Sequence, residues 1–97
     1  MKINKIACIC GSGLGSSFLV EMNVKDVLKD LDLTEIDVEH MDLGSAWPGV
    51  ADLIVCGSDL EDNCKKFGET LSLNNIMDKE ELRKKLEALL EDKGLVE

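Results

Sequence analysis

Apolar residues follow two different spacings along this chain. Runs rich in aliphatic side chains at Ile3–Ile9 and Asp52–Cys56 predict buried strands. Apolar and acidic residues alternate over Glu35–Met41, which predicts an edge strand with one face in water. A weaker run over Glu69–Asn74 predicts a fourth strand.

Helical spacing appears in the segments between and after these strands. The first helix has its predicted stripe at Val20, Val24, Val27 and Leu31. The last has its predicted buried stripe at Leu82, Leu86 and Leu89, and Asp78 with Glu81 matches a capping box at its start. Ser58 and Glu61 match a second capping box, which predicts that a short helix opens at Ser58 and ends at Gly68.

The alternation of strands and helices predicts an α/β fold. We expect a four-stranded parallel sheet in the order 2-1-3-4, Rossmann-like, with right-handed crossovers and helices on both faces. The length of 97 residues suits one domain spanning residues 1–97.

Charge and composition exclude several classes of function. A net charge of −9 argues against nucleic acid and anionic membranes as partners, because both require clustered Lys and Arg. The longest apolar runs are far shorter than the roughly 20 residues that span a bilayer, so no membrane insertion is expected. No signal peptide is recognisable, and we expect a cytoplasmic protein.

The four cysteines, Cys8, Cys10, Cys56 and Cys64, are expected to be thiols rather than disulfides in that compartment. With His40 as the one histidine and no paired CxxC clusters, a zinc site is not expected. Neither a metal nor another cofactor is therefore predicted.

The segment after the first strand has the features of an anion site. It begins with Cys10 and contains three glycines, which allow successive N–H groups to converge on one oxyanion. A helix N-terminus follows, at the sheet edge where the strand order reverses and ligands bind in such folds. The predicted phosphate-binding residues are Gly11, Ser12, Gly13, Leu14, Gly15, Ser16 and Ser17.

The same surroundings favour an ionised Cys10, which would be a nucleophile at neutral pH. The alternative is a buried thiol beside an ordinary tight turn. A Walker A loop would need a Lys that is absent here, and a dinucleotide loop would need Gly in place of Ser16. A cysteine phosphatase loop would need an Arg, which would clamp the phosphoryl group in the transition state. The loop therefore suits accepting and passing on a phosphoryl group better than hydrolysis.

The segment ICGSGLGSS resembles the phosphocysteine loop of the enzyme IIB components of the bacterial phosphoenolpyruvate-dependent sugar phosphotransferase system. The likeness extends over nearly the whole chain in size and element order. It is greatest for the ascorbate-type branch, close to the galactitol and lactose/cellobiose branches. The sugar is left open among these.

This resemblance implies a relay in which Cys10 receives a phosphoryl group from a phosphohistidine of enzyme IIA. The phosphocysteine would then donate it to a sugar bound by the membrane component IIC. Two alternatives stay open: a low-molecular-weight cysteine phosphatase or arsenate-reductase-like enzyme, and a non-catalytic anion-binding module.

Several other residues have both structural and functional interpretations. Cys8 and Cys56 could form redox pairs with Cys10, although core packing is the favoured interpretation. His40 could act as an acid or base, but a structural role is favoured. Phe18 and Met22 could belong either to a docking surface or to the core. Ser58 and Asp59 could contact phosphate or IIA, although capping accounts for them.

Overall fold

The computed structural model describes residues 3–10 and 16–95. The strands are β1 (Lys5–Cys10), β2 (Asp37–Asp42), β3 (Leu53–Gly57) and β4 (Thr70–Leu73). They form one sheet in the order β2-β1-β3-β4, and each neighbouring pair is parallel. This confirms the predicted Rossmann-like α/β fold and its strand order, with strand ends that differ from prediction by one or two residues.

Helices cover both faces of the sheet, as predicted. They are α1 (Ser16–Asp30), α2 (Glu61–Cys64) and α3 (Lys79–Asp92), with short 3-10 turns at Leu43–Ser45, Ser58–Leu60 and Lys65–Phe67. Helices α1 and α3 pack with Ile6 and Cys8 of β1, whereas α2 packs with Ala7 and Ile9 on the opposite face. Successive strand residues therefore serve two separate hydrophobic clusters.

Strand β3 lies inside the sheet, and all five of its residues are buried. Strand β2 lies at one edge, where Val38 is buried while Asp37, Glu39 and Asp42 are exposed. A strand covered on both faces must be apolar throughout, whereas an edge strand tolerates carboxylates facing water. The alternation predicted for this segment is confirmed at Ile36 and Val38, which are buried, but His40, the next alternate residue, is exposed.

The predicted capping box at Ser58 is wrong. Residues 58–60 form a 3-10 turn, α2 begins only at Glu61, and neither Gly57 nor Leu60 provides a side-chain cap. An α-helix of about ten residues rises about 15 Å, slightly less than the length of a five-residue strand. The 3-10 turns at both ends rise about 2 Å per residue, so they lengthen this short crossover from β3 to β4.

The stripes on the longer helices follow the prediction with one correction each. In α1, Val20, Val24 and Val27 are buried as predicted and Leu28 joins them, whereas Leu31 lies just after the helix and is partly buried. In α3, Leu82 and Leu86 are buried as predicted, but the third buried position is Leu90, while Leu89 is only partly buried.

Only half of the capping box predicted for α3 is present. The Asp78 carboxylate accepts hydrogen bonds from the backbone N–H groups of Glu80 and Glu81. The Glu81 carboxylate accepts from the N–H groups of Asn74 and Asn75 at 2.6 and 3.0 Å and pairs with Lys85 at 2.8 Å. Glu81 therefore anchors the β4–α3 loop instead of the helix start.

The contacts of the Glu81 carboxylate predict that protonation of this group in acid lowers the stability of the fold. The hydrogen bond from Lys85, together with those from the Asn74 and Asn75 N–H groups, lowers the pKa of Glu81 to about 2. Because the folded pKa lies below the ordinary value of 4.5, the ionised carboxylate stabilises the fold above pH 4.5. That stabilisation is lost as the pH falls toward 2.

We expect Glu81→Gln to flatten the fall in unfolding free energy between pH 4.5 and pH 2, measured by urea titration at each pH. Glu80→Gln is the matched control, since Glu80 occupies the neighbouring exposed position of α3. If the unfolding free energy fell equally steeply with decreasing pH in wild type and in Glu81→Gln, the prediction would be contradicted.

Candidate active site at the carboxyl edge of the sheet

The topology places the end of β1 at the point where the strand order reverses. From β1 the chain crosses to β2 on one side, and the next strand, β3, pairs with the other side of β1. Strand β1 ends at Cys10, opposite Asp42 of β2 in the register. Ligands of open α/β sheets bind beside this reversal, so the fold brings Cys10 to the expected place.

The frame around the predicted phosphate loop is also fixed. Residues 11–15 connect the end of β1 to Ser16, where the 15-residue helix α1 begins. A helix of this length directs unpaired N–H groups and a partial positive charge toward its N-terminal side. The strand before this connection and the helix after it are therefore those that the sequence predicts.

The predicted phosphate-binding residues themselves lie largely outside the described part of the chain. This applies to Gly11, Ser12, Gly13, Leu14 and Gly15, and to the side chains of Cys10, Ser16 and Ser17. Their roles stay predictions, supported by the position of the two described ends of the loop.

The end of β3 lies tight against the loop that leads into α3. A Cβ atom built on Gly57 would lie 2.6 Å from Asp59 Oδ1 and 3.3 Å from Ile76 Cγ2, so a larger residue at this position would displace the Asp59 side chain and press on Ile76. Ser58 and Asp59 follow at the same sheet edge and are exposed. Neither residue caps a helix, so the prediction that capping accounts for Ser58 and Asp59 is wrong.

The other three cysteines are free thiols inside the hydrophobic clusters. Cys8, Cys56 and Cys64 are each no more than 2% exposed. Burial raises the pKa of the Cys8 and Cys64 thiols, and burial together with the adjacent Cys64 raises the pKa of Cys56 to about 12. Core packing, the favoured interpretation for Cys8 and Cys56, is confirmed by their burial.

A polar cluster joins α1 to the edge strand beside this site. Glu21 of α1 is a buried carboxylate that bonds His40 Nδ1 of β2 through one oxygen and Lys25 Nζ, at 2.7 Å, through the other. Burial by itself raises the pKa of Glu21, but the hydrogen bonds and charges of Lys25 and His40 outweigh it and lower the pKa overall. Glu21 is therefore ionised at neutral pH.

The His40 ring is held on a second side by Phe18. The Phe18 and His40 rings meet edge to face, with centroids 5.5 Å apart. His40 also lies opposite Cys8 in the β1–β2 register, two residues before Cys10. Phe18 and Met22 are about half exposed, which excludes the core interpretation for them.

Sequence reasoning identified His40 but not its partner Glu21. The spacing of Glu21 and Lys25 signals an ion pair on one helix face. The contact with His40 depends on how α1 crosses β2, which no local pattern encodes. The contact between α1 and the edge strand was therefore missed.

Among residues 3–10 and 16–95, no group of three or more His, Cys, Asp or Glu side chains is arranged to hold a metal ion. Across the same part of the chain, no helix has both the length and the apolar character needed to cross a membrane.

Comparison with known proteins agrees with this geometry. Residues 5–88 match the model of the family described as PTS system, lactose/cellobiose specific IIB subunit, where PTS denotes the sugar phosphotransferase system. The chain belongs to this family. As a IIB subunit, it is a component of a sugar phosphotransferase system.

One curated relative of this IIB subunit is named the ascorbate-specific PTS system EIIB component, from Mycoplasma pneumoniae (strain ATCC 29342 / M129 / Subtype 1). It is 29% identical over 89 residues, which cover 88% of this chain and 93% of the relative. The IIB subunit and this relative are thus similar over almost their full lengths.

Proposed function

We propose that this IIB subunit is a phosphoryl carrier in which Cys10 accepts a phosphoryl group from a phosphohistidine of enzyme IIA and donates it to a sugar bound by the membrane enzyme IIC. The observation that carries the proposal is the position of Cys10. It is the last residue of β1, at the reversal of strand order, and five residues separate it from the start of α1. Membership of the IIB family supports the same assignment.

The first transfer is an in-line displacement at phosphorus. The Cys10 thiolate attacks, a sulfur–phosphorus bond forms, and the phosphorus–nitrogen bond of the phosphohistidine breaks with its electron pair returning to the imidazole. The backbone N–H groups of residues 11–17 and the α1 N-terminus stabilise the charge on the phosphoryl oxygens.

The second transfer reverses the role of the sulfur. A sugar hydroxyl attacks phosphorus, an oxygen–phosphorus bond forms, and the sulfur–phosphorus bond breaks with Cys10 leaving as a thiolate. The hydroxyl proton passes to a base of the sugar-binding partner or to water. A thiolate that is stable at neutral pH serves as nucleophile in the first step and as leaving group in the second.

Ascorbate is the sugar we propose for this relay. The name of the Mycoplasma pneumoniae relative supports this, as does the resemblance of the loop to the ascorbate-type branch. We place the protein in the cytoplasm, as one domain over residues 1–97 that docks with IIA and IIC in turn. No metal or other cofactor takes part.

The test is transfer from a phosphorylated IIA component, followed by intact-protein mass spectrometry. We expect wild type and Cys8→Ser to gain the mass of one phosphate and Cys10→Ser to gain none. A gain that persists in Cys10→Ser would overturn the proposal. Catalytic hydrolysis of an aryl phosphate by the wild type would instead favour a cysteine phosphatase.

The sugar is tested separately, with three membrane preparations that contain an ascorbate-type, a galactitol-type or a cellobiose-type IIC component, each supplied with its own sugar. Phosphorylated wild type should lose its phosphate to ascorbate with the first preparation and retain it with the other two. Discharge with one of the other preparations instead would assign the subunit to that branch.

A further inference from the structure

The contact between Glu21 and His40 connects the first turns of α1 to the sheet. Glu21 lies five residues after Ser16, the first residue of α1, which is about 7.5 Å along the helix axis. Its partner His40 belongs to the edge strand, next to β1. The contact therefore fixes α1 against the sheet within two turns of the predicted phosphate loop.

Because the Glu21 carboxylate is buried, it needs the partners that this contact provides. Glu21 is 8% exposed, and its two carboxylate oxygens bond one group from its own helix and one from β2. A buried carboxylate that loses a partner either takes up a proton or moves toward water. Both partners of Glu21 lie near the surface, so His40 is the group of β2 that keeps the Glu21 carboxylate folded between α1 and the edge strand.

Five residues lie between Cys10, the last residue of β1, and Ser16, the first residue of α1. A displacement of the α1 N-terminus changes its distance from the end of β1, which carries Cys10. The stabilisation of the thiolate by a helix end falls off within the first turn of the helix.

We propose that His40, acting through Glu21, is a positioning residue that holds the α1 N-terminus in register with Cys10. This inference rests on the proposed role of Cys10 as the phosphoryl acceptor. His40 holds Glu21 with Nδ1, and Phe18 packs against its ring, so both Glu21 and Phe18 of α1 contact one side chain of β2.

The charged groups around His40 support a specific role for this contact. Glu21 and, through it, Lys25 face His40 from α1. Glu39 precedes His40 on β2 but pairs with Lys5 of β1 at 3.0 Å. One strand thus carries two neighbouring ionic contacts, one reaching α1 and one remaining within the sheet, which provides a matched control.

The experiment measures the Cys10 thiol pKa from the rate of iodoacetamide alkylation against pH, together with the rate of phosphoryl transfer from phosphorylated IIA. His40→Ala removes the contact. His40→Asn retains an amide N–H close to the position of Nδ1, and Glu39→Ala removes the ionic contact within the sheet. Thermal unfolding of each variant defines a temperature at which all remain folded.

We expect His40→Ala to raise the Cys10 pKa and to slow both alkylation at pH 7 and phosphoryl transfer by about three- to tenfold, the range set by losing a well-placed helix end. His40→Asn should stay within about twofold of wild type, as should Glu39→Ala, because the helix end remains in place in both.

Equal Cys10 pKa values in wild type and His40→Ala would overturn the positioning role, as would equal losses in His40→Ala and Glu39→Ala. These results differ from a failure of the proposed function, in which the wild type itself gains no phosphate on Cys10.

Discussion

Iodoacetamide is expected to alkylate one of the four cysteines of the native protein at pH 7.5, and that cysteine is Cys10. With a pKa of about 12, Cys56 has roughly one molecule in 10⁴ to 10⁵ ionised at this pH. Cys8 and Cys64 are fully buried, and burial raises the pKa of both. Cys10, at the start of the proposed anion site, is expected to be a thiolate and to react at least about 10³ times faster than the other three.

Mass spectrometry of the alkylated protein measures this selectivity. Native wild type should carry one adduct, Cys10→Ser none on the same timescale, and urea-unfolded wild type four. Rapid labelling of Cys56 or Cys64 in the native protein would show that the cluster beneath α2 opens readily. If Cys10 of the wild type were alkylated slowly, it would not be a thiolate at this pH, and the proposed relay would lose its nucleophile.

Replacing Leu90 by Ala should lower the free energy of unfolding by about 2 to 5 kcal/mol, the usual cost of truncating a fully buried leucine. Leu90 is 0% exposed and packs in the cluster that α3 shares with α1 and the sheet. Because single domains of this size are stable by only about 5 to 15 kcal/mol, the loss is a large fraction of the total.

Leu89→Ala is the matched control for this prediction. Leu89 has the same side chain at the adjacent position, but it is only partly buried. Chemical denaturation of both variants should show the smaller loss in Leu89→Ala. The reverse order would mean that the helix presents Leu89 to the core, as the sequence alone predicts.

The fold was largely predictable because its main determinants are local. Aliphatic runs define the inner strands, alternation defines β2, and the 3.6-residue stripes define α1 and α3. The strand order then follows from parallel connections with right-handed crossovers. The error between Leu89 and Leu90 arises because both positions lie near one helix face, and packing against α1 and the sheet decides between them.

The remaining errors concern features that depend on distant parts of the chain. Ser58 has the sequence of a helix cap, but the span from β3 to β4 favours 3-10 turns there. Glu21 resembles an ordinary surface residue of a helix until α1 crosses β2 and buries it beside His40. For the site, the sequence predicts the loop and its cysteine, whereas the contact between Glu21 and His40 is seen only in the packing of α1 on β2.

The carboxylates along β2 also affect how copies of this protein behave at high concentration. The free edge of a sheet is a template that a strand from another molecule can extend. If two copies met through β2, Asp37 and Glu39 would approach the same residues of the second copy, and like charges opposite each other on paired strands repel. The acidic border of the sheet thus opposes pairing of two copies through β2, an opposition that salt would weaken by screening.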